Sequence, residues 1–383
     1  MTLSVAKFLF QRMGIDMKKI LVLIFFLIMG RAEAAGWSPE LRIGLLSGVE
    51  EISLQVSAPC IMIDAKSKKT LKKLPANKKI TVKAKELKAA SVDIRPEKIQ
   101  LKDLRATIGE REYFGGVRLN VADKKFTVIN LVPIEEYLRG VLPEEMSPSY
   151  PLEALKAQAV AARSFALKNR DKHKKDGFDL CDKTHCQVYV GTKTFEITDK
   201  AVKETFGEIL THKDKLIETS FHADSGGVTE NASDVWGRVM PYLVAVKEVF
   251  KPVDSWTVKV SVKDFSSRFG DNFGELKKIE LSELKVGKGA KDRTSSGRVD
   301  SAQIIGSKKT VKLSGIDLRR KFSLPSTLFD MKIVGDNVIF TGYGSGHGVG
   351  MSQKGARSYA LDGWSYKKIL EHYYYDSKLK KLY

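Results

Sequence analysis

"VLPEEMSPSYPLEALKAQAVAARSFALKNR" (residues 141–170) changes character at Pro151. From that point the spacing predicts one long helix. Pro151 suits a first helical position and Glu153 the first turn, where a missing N–H does no harm and a negative charge is favoured. Leu155, Ala159, Ala162 and Ala166 recur at helical spacing and share a face. Alanines there let another element approach closely. Upstream, Pro143 and Pro148 restrict the backbone on both sides of Glu144-Glu145-Met146. The acidic pair is therefore expected in a stiff segment next to a helix N-terminus. Two readings stand. One is a solvated acidic turn that complements the helix dipole. The other is a carboxyl group half-buried against Leu142 and Met146, with the raised pKa that a general acid needs.

Working outward, residues 37–130 read as β-rich. "LRIGLL" (41–46), "EISLQV" (51–56), "CIMIDA" (60–65), "KITVKA" (79–84), "FGGVRLNV" (114–121) and "KFTVINLV" (125–132) are short apolar runs separated by Gly, Pro or Lys-rich turns. On the C-terminal side, "ILTHKDKLIETSFHADSGG" reads as two strands running into a glycine turn. The stretch 260–320 is mixed and Lys-rich. "DNVIFTGYGSGHGVGMSQKGA" reads as strand, glycine-rich loop and a helix starting near Ser352, and "SYKKILEHYYY" as an amphipathic helical end. Short strands and a few helices without regular alternation define an α+β class, with one long Ala-rich helix and a small β-rich N-terminal module.

The 383 residues are 43% hydrophobic and 29% charged, a globular composition with no fixed-period repeat. Residues 1–34 read as a signal peptide. Lys18 and Lys19 precede the apolar run 20–29, and Ala32-Glu33-Ala34 has the A-x-A cleavage form. The run is shorter than the roughly 20 residues of a membrane-spanning helix, although an uncleaved anchor is the competing reading. A good signal also starts at Met17. The division expected is thus a signal at 1–34, a β-rich module at 35–120 and one larger domain at 121–383, in an exported protein of the periplasm or cell envelope with no stable membrane span after cleavage. Net charge is +19, and because residues 1–34 hold five basic and two acidic residues, the remainder carries about +16. Such a charge attracts polyanions. Export argues against nucleic acid and for wall polymers, anionic lipid or peptidoglycan carboxylates.

Three further stretches carry candidate chemistry. "CDKTHCQVYVG" places Cys181, His185 and Cys186 within six residues. Thiolates and imidazole suit zinc, with Asp182, His173 or His222 as the assisting ligand. A Cys181–Cys186 disulfide is the alternative in an exported protein, with Cys60 left over. "HADSGGVTENASDVWG" (222–237) is dense in short polar side chains around Gly226-Gly227. "GSGHGVGMSQKGA" (344–356) holds five glycines and one histidine, and glycine lets a bulky ligand reach the backbone. Neither is a phosphate-binding or dinucleotide loop, and the chain has no G-x-S-x-G and no H-E-x-x-H.

Taken together, "VPIEEYLRGVLPEEMSPSYPLEALKAQAVAARSFAL" (132–167), "THCQVYVG" (184–191), "SGGVTENASDVWG" (225–237), "PYL" (241–243) and "GHGVGMSQKGA" (346–356) resemble the SpoIID/LytB family, the stage II sporulation protein D and amidase-enhancer group. The resemblance covers roughly residues 40–383. It implies a lytic transglycosylase acting on peptidoglycan glycan strands stripped of their peptides. It places the catalytic glutamate directly before the methionine of an E-M-P-like motif, at Glu145; Glu144 is then a helper or a surface residue, the surface being the favoured reading. It implies Ser225, Gly226, Gly227, His347 and Gln353 as sugar-holding residues, and Cys181, His185 and Cys186 as a structural zinc variant. Ser147 stands where the family commonly has Pro, and Lys354 where it commonly has Tyr. A single carboxyl suffices for such a reaction. It first protonates the leaving glycosidic oxygen. It then accepts the proton of the C6 hydroxyl of N-acetylmuramic acid, which closes a 1,6-anhydro ring. The alternative from the same resemblance is a non-catalytic glycan-binding enhancer of a cell-wall amidase. A third reading, a zinc hydrolase built on the Cys/His cluster, conflicts with the usual structural use of two thiolates.

Overall fold

The computed structural model describes residues 38–249 and 254–383. The expected signal peptide lies outside the described residues. The architecture is α+β, with eight α-helices and six sheets among the described residues. The largest sheet has seven strands in the order Leu180–Cys181, Glu40–Val49, Lys125–Pro133, Gly116–Ala122, Ser91–Pro96, Cys60–Asp64, Thr70–Leu74. A four-stranded sheet (Ile80–Lys83, Glu51–Val56, Arg105–Ile108, Arg111–Phe114) packs beside it. The expected boundary at 120/121 falls inside the strand Gly116–Ala122, and one apolar core runs from Leu41 through Ala162 to Tyr374. Thr70–Leu74 leaves no apolar mark in the sequence because it is an edge strand, exposed except at Leu74 and carrying Lys72 and Lys73, residues that blunt an open edge.

The centre of the body is the alanine helix, Leu152–Lys168. It is buried almost all round, not on one face alone. The reason is that it touches the helices Ile134–Glu145, Glu196–Glu204, Gln353–Leu361 and Tyr366–Tyr373, and the strand Glu208–His212. The small alanine side chains let these elements approach its axis closely from several sides. Its one buried cation, Arg163, is fork-bonded to Glu135 at 2.8 and 2.7 Å and donates to the Glu208 carbonyl. The helix ending in Glu145 takes Pro143 into its last turn. Gly140 in that helix is required by close approach: a Cβ there would overlap the Gly191 carbonyl and the Tyr189 ring.

Residues 254–340 build a second lobe with its own aromatic core. Two three-stranded antiparallel sheets and two short helices, Val262–Ser267 and Gly315–Phe322, enclose Phe265, Phe273, Phe322, Phe329 and Phe340. Phe265 and Phe322 stack at 4.7 Å. Ser314 caps the helix Gly315–Phe322, its hydroxyl accepting from the Asp317 N–H, and Ser323 ends it in the left-handed region at φ +54°. The C-terminal run forms the expected helix, Tyr366–Tyr373, followed by a strand, Lys378–Lys381, that pairs with Glu208–His212.

Candidate active site

A cleft of about 880 Å³ lies between the two lobes. Its wall includes Glu145, Cys186, His185, Val188, Glu218, His222, Trp236, Arg238, Arg319, His347 and Gln353. Six stretches of the chain, at residues 145, 185–188, 218–222, 236–238, 319 and 347–353, thus meet in one cleft.

Glu145 is the last residue of the helix Ile134–Glu145, at the C-terminal end of one helix and not in a loop at the start of the next. Pro143 stiffens that end from inside the helix, and the Met146 N–H closes on the Leu142 carbonyl at 3.0 Å. One carboxylate oxygen, Oε1, accepts the Val188 N–H at 2.9 Å. Burial pushes the carboxyl above the ordinary range; the Val188 N–H opposes this and the neighbouring charge of Glu144 adds to it. The negative end of the helix dipole acts in the same direction as burial. Glu144 points away and pairs with exposed Lys193 at 3.0 Å, a surface ion pair worth about 0–1 kcal/mol.

The segment that supplies the Val188 N–H also carries the Cys/His cluster. His173 Nε2 lies 3.3 Å from His185 Nδ1, and the sulfurs of Cys181 and Cys186 lie 3.8 and 3.7 Å from the same nitrogen. The four donor atoms sit within 4.8 Å of one another. With Zn–S of about 2.3 Å and Zn–N of about 2.05 Å, a tetrahedral site has edges of about 3.3 Å between nitrogens and about 3.6 Å between nitrogen and sulfur. The donor set therefore has the chemistry and the spacing of a closed four-ligand zinc site. Of the three candidates for a fourth donor, His173 stands in the cluster; Asp182 and His222 do not. The other ring nitrogen of His173 meets Asp176 at 2.9 Å, the carboxylate–histidine pairing that orients a metal-binding imidazole. All three cysteines are free thiols, Cys60 buried in the sheet.

His347 and Gln353 line the cleft. The His347 ring lies 5.5 Å from both Trp236 and His222, and its Nδ1 accepts the Val349 N–H at 3.0 Å. Burial, together with the charges of Arg319 and Arg298, pushes its pKa down to about 4, so the ring is neutral at pH 7. Gln353 Nε2 reaches Gln158 at 3.5 Å.

Ser225, Gly226 and Gly227 do not line the cleft. Ser225 is fully buried and its hydroxyl donates to Glu248 at 2.5 Å. Gly226 has φ +71°, and a Cβ there would meet Leu328 at 2.8 Å and the Gly344 nitrogen at 3.1 Å. The glycine run lets two loops cross, as the Asp224–Ser345 bridge shows. Lys354 is tied to Asp254 at 2.9 Å and Asp224 at 3.1 Å. Sequence reasoning missed four cleft residues as site candidates: Glu218, Trp236, Arg238 and Arg319. Glu218 is a second carboxyl group in the cleft, receiving Asn169 at 3.2 Å with Arg238 at 4.0 Å.

A cleft between two α+β lobes, with one desolvated carboxyl and a compact thiol–imidazole cluster beside it, defines the class. Comparison with known proteins narrows it. The family model described as stage II sporulation protein, SpoIID, matches residues 122–212, and a model described only as a domain of unknown function matches residues 245–350. Stage II sporulation protein D of Bacillus subtilis is 36% identical over 270 residues, 65% of this chain and 75% of that protein. An uncharacterized protein of Brachyspira hyodysenteriae is 36% identical over 278 residues, 70% and 72% of the two chains. The amidase enhancer of Bacillus subtilis is 29% identical over 282 residues, 62% of this chain and 39% of that protein. The chain belongs to the SpoIID/LytB family. No helix of the described residues is long and apolar enough to cross a membrane.

Proposed function

We propose that this protein is an exported peptidoglycan lytic transglycosylase of the cell envelope in which Glu145 is the single acid/base. The observation that carries the reading is the setting of Glu145: in the cleft, burial-shifted toward the protonated form and held by one N–H on Oε1. A protonated carboxyl held this way donates to the glycosidic oxygen as the bond to C1 of N-acetylmuramic acid breaks. The carboxylate left behind accepts the C6 hydroxyl proton, and that oxygen closes on C1 to give the 1,6-anhydro product. His347 is neutral and does not compete for the proton. His347 and Gln353 hold the sugar; Ser225, Gly226 and Gly227 act by shaping the loop behind them. Cys181, His185, Cys186 and His173 hold a structural zinc ion, which supplies no step and fixes the segment bearing the Val188 N–H.

Glu218 favours one rival, a hydrolase with two carboxyl groups flanking the bond. The relative named amidase enhancer favours another, a glycan-binding protein that assists a wall amidase without cutting. Digestion of peptide-stripped peptidoglycan glycan, read by mass spectrometry, separates them. Anhydro ends from the wild type, lost in Glu145→Gln and retained in Glu218→Gln, are the expected result. Reducing ends lost in both variants would establish the hydrolase. Binding without any cleavage would establish the enhancer.

A further inference from the structure

Arg319 stands on the last turn of the helix Gly315–Phe322, in the lobe matched only by the domain of unknown function. Leu318 and Phe322 on either side are buried in that lobe's core, which fixes the helix. The Arg319 Nε donates to the Leu324 carbonyl at 3.2 Å. That bond aims the guanidinium into the cleft that holds Glu145. Among the described residues no carboxylate lies within ion-pair distance of it, and burial alone lowers its pKa. Its charge is felt by both His347 and His222, so it sits over that end of the cleft. The other cations of the cleft wall differ. Arg238 is two-thirds exposed beside Glu218, and Lys172 donates to the His185 carbonyl. A half-buried guanidinium with a carbonyl but no carboxylate beside it is costly in a binding cleft unless the ligand supplies the anion.

We infer that Arg319 is the specificity-determining residue that reads the lactyl carboxylate of N-acetylmuramic acid on a peptide-stripped strand. The inference rests on the glycan reading above and adds the means of discrimination. While a stem peptide is attached, the lactyl group is an amide with no charge. Removing the peptide exposes one carboxylate per muramic residue. The planar fork of an arginine matches a carboxylate through two parallel N–H bonds, which an amide cannot accept equally. The lobe of unknown function thus delivers the group that tells stripped glycan from unstripped glycan.

The test measures binding in the Glu145→Gln background, so that no substrate is consumed. Two probes are used: peptide-stripped glycan with free lactyl carboxylates, and the same glycan with those carboxylates methyl-esterified. The parent should prefer the free form, and adding Arg319→Gln should weaken its binding roughly ten- to a hundredfold. The ratio between the two probes should then fall toward one, and Arg319→Lys should restore part of it. Equal loss for both probes would mean that Arg319 only supports the fold of the cleft. A parent that does not distinguish the probes would overturn the inference and leave glycan binding intact. A parent that binds neither would overturn the glycan reading as well.

Discussion

At the scale of the residue, the role proposed for Glu145 and the stability of the protein pull apart. Its folded pKa is raised, so folding favours the protonated form. That stabilisation is fully present below the unfolded pKa and is lost as pH rises through the folded one. Above its raised pKa the ionised, desolvated carboxyl is a liability. Glu145→Gln keeps the acceptor for the Val188 N–H and removes the charge. Thermal scans should show a Tm higher by on the order of 1–2 °C at pH 7, with the gain shrinking toward about pH 4, where the wild-type carboxyl is neutral. A lower Tm at pH 7 would show that the carboxylate is not disfavoured there. The prolines and spacing around Glu145 left a solvated turn and a half-buried carboxyl both open; the family resemblance singled Glu145 out, and the fold sets it in the cleft. The sequence did not make Glu218, Trp236, Arg238 or Arg319 legible, because they reach the cleft from segments that no short-range spacing connects. Ser225–Gly227 misled for a different reason. Glycine for a ligand and glycine for two crossing loops leave the same local mark, and only burial distinguishes them.

At the scale of the element, the segment 181–191 links the donor cluster to the acid. Cys186 and Val188 are two residues apart, so whatever fixes the thiolate fixes the N–H on Glu145. Removing the metal with a chelator should therefore lower the Tm and slow cleavage together, and zinc should restore both. Metal analysis of the purified protein should find one zinc per chain, and none in Cys181→Ser/Cys186→Ser. Cleavage lost with an unchanged Tm would instead point to a catalytic metal. The spacing of Cys181, His185 and Cys186 was readable; which of Asp182, His173 and His222 stands with them was not, and the fold brings His173 alongside. The alanine helix was readable as a helix from its period and its first turn. Its burial on nearly every side was not, since that depends on four other helices meeting it.

At the scale of the whole molecule, a buried polar network joins the lobes. Arg298 is fully buried and donates to the Ser225 and Val228 carbonyls at 2.6 and 2.9 Å. Burial lowers its pKa to about 10, against the charges of Glu230 and Glu248. Glu230 in turn receives the hydroxyls of Thr294 and Ser296 at 2.5 and 2.7 Å. Arg298→Leu leaves buried carboxyls and carbonyls without their cation and should cost about 3–5 kcal/mol. Calorimetry should show a lower first transition, separating the lobe 254–340 from the body. A single transition at the wild-type temperature would show that the lobes are joined elsewhere. The Lys-rich stretch 260–320 concealed this lobe in the sequence, because its strands are short and its phenylalanines are scattered across some 75 residues. One pairing described above has a consequence in time. The strand Glu208–His212 waits for Lys378–Lys381, and Tyr373 and Tyr374 reach back to Glu248 and Ser220. The ribosome must make some 170 further residues before that edge is closed. Until then one side of Glu208–His212 is left unpaired, and its three-stranded sheet is completed only after that span has been made.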